Sequence, residues 1–294
     1  MKKAFAQLHI AVFLAGFTAV LGKLIELNEG LLVWLRMLIT GLTLLVIMLF
    51  SQKSIRITTQ QLWPLLGTGA IVALHWLFFY GSVKYGNVSI AVVCIAASGF
   101  FTAFFEPLFF KTRLVIAEVV LGAMALLGIY IIFDFHPQYQ KGIVFGILSA
   151  VGSAVFPIFN KRLLLHHTPQ TMVLYEMAGG VLALSLLLPF YLQVFPASYL
   201  LPTASDWVWL LLLCWLCTVF SFDLQLKALQ KLSPFTANLT YNLEPLYGII
   251  LAFIFFKENK DINLYFYAGV GLILLAVLLQ MYRVNYARKQ KMAI

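Results

Sequence analysis

Charge is what this sequence has least of. Only 11% of its 294 residues are charged and 62% are hydrophobic, whereas a soluble domain typically carries about 25% charged and about 45–50% apolar residues. No long polar stretch is present to fold on its own or to stay unfolded, which excludes both the soluble and the disordered classes. Acidic residues are the scarcer sign, 11 Asp and Glu against 20 Lys and Arg. Cysteine is scarcer still: Cys94, Cys214 and Cys217 all lie in apolar stretches. Cys214-Trp215-Leu216-Cys217 has the spacing of a redox or metal pair but no His or Asp suited to a metal beside it, and reads as small apolar residues packing in a span. Neither a metal nor a cofactor is expected. The loops are too short for a nucleotide-binding or catalytic soluble domain, which argues against an ATP-driven pump. There is no His-Glu-x-x-His, no aspartate-rich cluster and no serine–histidine arrangement at a shared depth, so the chain is not expected to be an enzyme.

What is there is a succession of apolar runs, each long enough to cross about 30 Å of hydrocarbon as a helix. They fall at residues 6–24, 30–50, 62–82, 87–110, 114–133, 142–160, 169–190, 206–226, 232–256 and 263–283. Met1-Lys2-Lys3 could mimic a secretory signal, but no small-x-small cleavage site follows the apolar run, which reads as the first span. The longest break, Pro189 to Asp206, reads as an external loop. With the N-terminus in the cytoplasm, Lys2, Lys3, Lys53, Arg56, Lys111, Arg113, Lys161, Arg162, Lys227, Lys231, Arg283, Arg288, Lys289 and Lys291 fall inside, 14 against the 5 outside, which are Lys23, Lys84, Lys141, Lys257 and Lys260. The positive-inside rule therefore places both termini in the cytoplasm. The net charge of +9 is then a topology signal in contact with anionic lipid, and no nucleic-acid partner is needed.

The expected fold is an all-α integral membrane protein with ten transmembrane helices arranged as two inverted five-helix repeats, residues 1–140 and 141–294. Five spans per half is odd, so the second half must enter the membrane upside down, an architecture common among secondary transporters. Phe109-Phe110-Lys111 and Phe255-Phe256-Lys257 end the fourth span of each half, and Trp34-Leu35-Arg36-Met37 and Leu174-Tyr175-Glu176-Met177 occupy like positions in the second. In this register Glu244-Pro245 matches Ser98-Gly99.

Two stretches carry a family likeness. One is Phe79-Tyr80-Gly81-Ser82-Val83-Lys84-Tyr85-Gly86-Asn87-Val88-Ser89-Ile90-Ala91. The other is Ala228-Leu229-Gln230-Lys231-Leu232-Ser233-Pro234, followed by Asn242-Leu243-Glu244-Pro245-Leu246 and Phe256-Lys257-Glu258. The chain resembles the drug/metabolite transporter superfamily, and within it the EamA-like ten-span family. The resemblance implies a secondary transporter, usually an exporter of small metabolites such as amino acids or related compounds, without implying one substrate. Many relatives have proline in the fourth span where this chain has Gly99, so the two halves need not kink equally.

Polar groups that face lipid are penalised, so intramembrane polar residues are expected to point inward. Glu244 leads the candidates: a carboxylate amid a 25-residue apolar stretch, Leu232 to Phe256, with Pro245 removing a backbone donor beside it. It could bind a substrate amine or carry a coupling proton, or be a protonated glutamate bonded to a neighbouring helix. Tyr241 and Asn238 fall near the same helical face, and Thr236, Thr240 and Asn242 lie close by. Arg36 could hold a substrate carboxylate through its planar fork, or serve as a structural ion pair or snorkelling anchor. His75 could relay a proton or bond across helices, with Trp76 and Tyr80 beside it. Ser98 is a further substrate-binding candidate, and Gly99 and Pro245 are candidate helix breaks. Asp223 with Lys227 reads as an interfacial i,i+4 ion pair, Glu106 as structural beside Lys111 and Arg113, and Gly142 with Gly146 as a step for close helix packing.

The expected function is export of small metabolites across the cytoplasmic (inner) membrane by alternating access, with coupling to the proton gradient or no coupling at all. A nucleotide-sugar-like or facilitative carrier of the same fold is the alternative. A nucleotide-sugar transporter would need several cavity cations for a diphosphate, and only Arg36 and Lys84 are on offer. A membrane-embedded enzyme and a non-transporting scaffold or receptor are the remaining readings. Expected partners are the small-molecule substrate and membrane lipids, and the chain is expected to act as a monomer or homodimer.

Overall fold

The computed structural model describes residues 2–52, 55–111, 113–135, 137–229, 240–241, 243–260 and 264–292. All regular structure among them is helical, and no strand occurs. The helices are α1 (Lys2–Leu24), α2 (Glu29–Phe50), α3 (Thr59–Tyr85), α4 (Val88–Ile95), α5 (Ser98–Phe110), α6 (Ile116–Phe135), α7 (Gln140–Leu163), α8 (Pro169–Val194), α9 (Ala204–Cys214), α10 (Ser221–Leu229), α11 (Glu244–Phe256) and α12 (Leu264–Met292). A six-residue π-helical segment, Trp215–Phe220, joins α9 to α10. By length and composition, eight helical stretches among the described residues can cross a membrane, counting α4 with α5 and α9 through α10 as one each. The fifth and ninth expected spans correspond to shorter apolar helices, Ile116–Ile132 within α6 and Glu244–Phe256.

Helix starts are written locally. Asn28 accepts from the Gly30 amide at 2.8 Å before α2, and the Thr168 hydroxyl accepts from the Thr171 amide at 3.3 Å before α8. Such caps satisfy amides that the first turn leaves without intrahelical partners. α4 is capped twice, by Asn87 Oδ1 on the Ile90 amide (2.7 Å) and by the Glu258 carboxylate, which accepts from the Val88 and Ser89 amides at 3.0 and 2.9 Å. Glu258 follows α11 in the chain, so one half of the sequence caps a helix of the other.

The halves interlock rather than sit side by side. α7 packs on α3, α4 and α5, and α1 packs on α9, α10 and α11. α6 and α12, the last helices of each half, pack on each other. Their contact is set by Gly128 and Gly269: a Cβ on either would lie about 2.5–2.6 Å from the other's carbonyl oxygen. Small residues permit such approach where no hydrophobic force draws helices together. Gly142 and Gly146 do the same for α7, against Gly86 and Cys94. α5 and α11 match each other in detail. Each has 13 residues, each ends in Phe-Phe, and each is followed by a lysine in the left-handed region, Lys111 at φ 52° and Lys257 at φ 55°.

Candidate functional site

A buried polar constellation gathers around Arg36. Eight residues into α2 from its Asn28 cap, the side chain lies about 12 Å inward from the helix end and is only 4% exposed. Its Nη1 donates to the Tyr80 hydroxyl at 2.5 Å, and Nε and Nη2 donate to Thr218 Oγ1 at 3.3 and 3.1 Å. The guanidinium carbon stands 3.8 Å from the centroid of the Trp76 ring, within the range of a cation–π contact, which strengthens when desolvated. Trp76 and Tyr80 lie one turn apart on α3. The Tyr80 ring is pinned by α1, where any Cβ at Gly22 would come within 2.2 Å of it. Thr218 belongs to the π-helical segment. Its hydroxyl donates to the Leu213 carbonyl five residues back at 3.0 Å, which leaves its lone pairs for Arg36. Thr218 also lines a cavity of about 30 Å³ with Thr40, Leu44, Val173, Val219 and Phe222, room for about one water. Among the described residues every acceptor of Arg36 is thus neutral, and no ion pair includes it.

His75, one position before Trp76, turns toward α7. Its Nδ1 is 2.8 Å from the Ser149 carbonyl and 2.9 Å from Ser149 Oγ, and that hydroxyl donates to the His75 carbonyl at 3.0 Å. Glu244 is the first residue of α11, with Pro245 second. It packs beside α1, where a Cβ at Gly16 would be 3.2 Å from the Glu244 carbonyl, about 9 Å along α1 from the Gly22–Tyr80 contact. Tyr241 packs with Leu243 and Tyr247 on Ala4, Leu8 and Val12 of the same helix. Ser98 and Gly99 open α5, and nothing lies within 4 Å of a Cβ built on Gly99. Asn238, Thr236 and Asn242 lie outside the described residues.

The structure therefore brings Arg36, Trp76 and Tyr80 together, leaves His75 on the adjoining face, and sets Glu244 and Tyr241 apart from them along α1. Thr218 is the member that sequence reasoning missed. A threonine in an apolar run was visible, but the wider π turn that aims it at Arg36 was not. Asp223 pairs with Lys227 at 2.5 Å, whereas Glu106 pairs with Lys161 of α7 at 3.1 Å rather than with Lys111 or Arg113. Cys214 and Cys217 are free thiols, both buried.

One end of the bundle is tied down by the short α1–α2 connection. Lys84 Nζ donates to the Ile25 carbonyl at 3.0 Å and to that of Leu27, and Asp206 Oδ1 accepts from the Glu26 amide at 2.7 Å. Asp206 Oδ2 accepts from Tyr199 (2.8 Å) and from the Thr203 amide and hydroxyl (3.0 and 2.9 Å). Beside them the Tyr191 hydroxyl donates to Glu29 at 2.5 Å. Lys84, a candidate cavity cation, is thus engaged at this mouth with backbone oxygens. A cavity of about 360 Å³ between α3, α7 and α8 is lined by Leu74, Leu77, Phe78, Val144, Phe145, Leu148, Leu187, Tyr191 and Phe195. Its apolar walls include the exposed Leu74, Val144 and Leu148, so it suits lipid rather than a polar substrate.

Comparison with known proteins decides the family. The model of the EamA-like transporter family matches residues 3–134 and again 140–282. The chain belongs to the EamA-like transporter family. It is a multi-pass membrane protein with two EamA repeats. Two uncharacterized transporters of Archaeoglobus fulgidus are similar, one 23% identical over 140 residues (48% of each chain) and one 29% identical over 126 residues (42% of this chain, 45% of the relative). These matches span about half the length of those relatives. An uncharacterized transporter of Haemophilus influenzae is 22% identical over 237 residues, 78% of this chain and 75% of the relative. A crystal structure with 19% identity superposes over 93% of this EamA-like chain and 95% of its own length with a TM-score of 0.60, a likeness of fold.

Proposed function

We propose that this EamA-like protein is a secondary transporter that exports small carboxylate-bearing metabolites, such as amino acids or related compounds, across the cytoplasmic membrane by alternating access. The observation that carries the reading is the Arg36 cage. A buried guanidinium held only by Tyr80, Thr218 and the Trp76 face has its charge uncompensated among the described residues. Placing a charge inside a membrane costs a few kcal/mol, so such residues usually mark a substrate or ion pathway. A substrate carboxylate would supply the missing partner through two parallel N–H···O bonds. Glu244, at the start of a helix inside the ninth apolar stretch, would take the substrate ammonium group or a coupling proton. Tyr241, Asn238 and Ser98 would line the path, and His75 would relay protons. The two five-helix halves, inserted in opposite senses, would rock about this region, with breaks at Gly99 and Pro245 as joints. The mouth closed by Lys84 and Asp206 would then be the external one.

The experiment is counterflow into liposomes of a pooled panel of amino acids and small metabolites, for the wild type, Arg36→Lys and Glu244→Gln. Uptake of carboxylate-bearing compounds that Arg36→Lys abolishes, with the variant still folded, is the expected result. Equal uptake by Arg36→Lys would refute the carboxylate assignment. A Glu244→Gln variant with wild-type rate and pH response would remove Glu244 from the site.

A further inference from the structure

Glu176 has no part in that mechanism, yet among the described residues it is the most completely buried carboxylate away from the closed mouth. It lies on α8, only 3% exposed. α3 presses on its backbone so closely that a Cβ at Gly69 would sit 2.0 Å from the Glu176 carbonyl. The side-chain amide of Asn160, on α7, faces its carboxyl group. Two further atoms are orphaned there: Glu176 Oε1 and Asn160 Oδ1 are both buried without a hydrogen-bond partner among the described residues. Buried polar atoms left unpaired are rare and call for an explanation. Both orphans are acceptors, so no rotation of the two side chains can pair an ionised carboxylate with the amide oxygen. One proton resolves both faults. A carboxylic acid beside a primary amide closes a ring of two hydrogen bonds, the acid O–H donating to Oδ1 and the amide N–H donating to the other carboxyl oxygen.

We propose that Glu176 and Asn160 form a proton-binding site in which Glu176 is held as the neutral acid. The coupling role of that proton rests on the transporter reading above. Among the described residues, no ion pair reaches it from the helices packed around it. On α2, Arg36 is engaged with Tyr80 and Thr218, and Glu29 lies at the far end with Tyr191. On α3, His75 is paired with Ser149 and Lys84 binds the α1–α2 connection. On α7, Lys161 pairs with Glu106 and Arg162 donates to the Phe109 carbonyl at 2.6 Å. On α8 itself, Tyr175 donates to the Ile55 carbonyl at 2.7 Å. Glu176 stands about 10 Å into α8 from its first residue, near the end that carries Lys161. Separation of α7 from α8 at that end would break the ring, admit water and pass the proton from Glu176 to it, leaving the carboxylate. Closure would require a proton to return. This gives the two states of the site different proton affinities, which any ion-driven conformational shift demands.

The test is infrared spectroscopy of the full-length protein in lipid nanodiscs at neutral pH, with no substrate added. The wild type is expected to show a carboxylic-acid carbonyl band that shifts on deuterium exchange and is lost in Glu176→Gln. Asn160→Leu is expected to move that band to the higher frequency of an unbonded acid, and this reading stands even if Glu176→Gln fails to fold. Glu244→Gln serves as the control for the other intramembrane glutamate. Identical carboxylic-acid regions in the wild type and both Glu176-site variants would overturn the proton site. In liposome counterflow under a pH gradient, loss of gradient stimulation in Glu176→Gln supports coupling, and equal gradient response in variant and wild type overturns it. A protein that keeps the band but shows no counterflow would refute the transporter reading and leave the proton site standing.

Discussion

Replacing Arg36 with an apolar residue of like length separates a functional arginine from a structural one. If Arg36 were a structural keystone, removing it would break a favourable network. The geometry argues otherwise. An arginine near the middle of a membrane helix costs about 2.5–3.5 kcal/mol on insertion scales. Against this stand three hydrogen bonds to neutral hydroxyls, worth on average about 0.6 kcal/mol each by the measure of membrane double-mutant cycles, and the Trp76 contact at 3.8 Å, worth about 2 kcal/mol when desolvated. The two sides nearly cancel, so the arginine adds little to stability. Arg36→Met alone would orphan the Tyr80 hydroxyl at a cost of about 1–3 kcal/mol, whereas Thr218 keeps its bond to Leu213. The informative variant is therefore Arg36→Met combined with Tyr80→Phe. It is expected to unfold in mixed micelles within about 1 kcal/mol of the wild type, because well-packed apolar residues commonly replace buried charge without loss, and to lose carboxylate counterflow altogether. Destabilisation beyond about 3 kcal/mol would show that the cage is architectural and refute the reasoning.

Other expectations follow from single contacts. Gly69→Val forces side-chain atoms onto the Glu176 carbonyl and should destabilise the protein by more than about 3 kcal/mol, whereas Gly67→Ala, with nothing within 4 Å of its Cβ, should raise stability by up to about 1 kcal/mol. Thermal unfolding of the pair checks both. Asp206→Ala removes the acceptor of the Glu26 amide, and hydrogen exchange at that amide should quicken about tenfold or more, the equivalent of about 1.4 kcal/mol. Unchanged exchange would show that Lys84 alone holds the connection. Glu258→Ala strips two acceptors from the start of α4 and should cost about 1–3 kcal/mol, with Glu258→Gln recovering part of it in the same unfolding assay.

What could be read from the sequence was whatever the membrane enforces locally. Apolar run lengths gave the helices, because a lipid-exposed backbone has no other way to satisfy its amides. The Phe-Phe-Lys endings gave the register between the fourth helices of the two halves. Arg36, Trp76 and Tyr80 were legible as intramembrane polar or aromatic residues, though not as neighbours. What could not be read depended on contacts between distant segments. Thr218 reaches Arg36 only because the chain widens into a π turn, and no residue pattern announces that. Asn160 reads as a helix-end residue beside two basic ones until α7 and α8 are both packed on α3. Nothing in the sequence around Glu258 announces that its carboxylate caps a helix 170 residues earlier.

The paired endings of α5 and α11 carry a last consequence. Lys111 and Lys257 both adopt left-handed backbone, which costs a non-glycine residue about 1–2 kcal/mol and which glycine adopts freely at the end of a helix. A strained residue at the same place in both halves is maintained by something other than helix termination. The positive charges sit at equivalent helix ends, where they face the partial negative charge of the helix C-terminus, and by the charge rule they would lie on opposite sides of the membrane. If the side chains are kept for charge at the cost of backbone strain, Lys257→Gly should stabilise the folded protein in neutral detergent by up to about 1 kcal/mol. Its advantage should shrink in vesicles rich in anionic lipid, where the lysine gains attraction of about 1 kcal/mol. Unfolding measured in both media decides it. A variant less stable than the wild type in neutral detergent would show that the lysine side chain contributes more through packing or hydrogen bonding than the backbone loses.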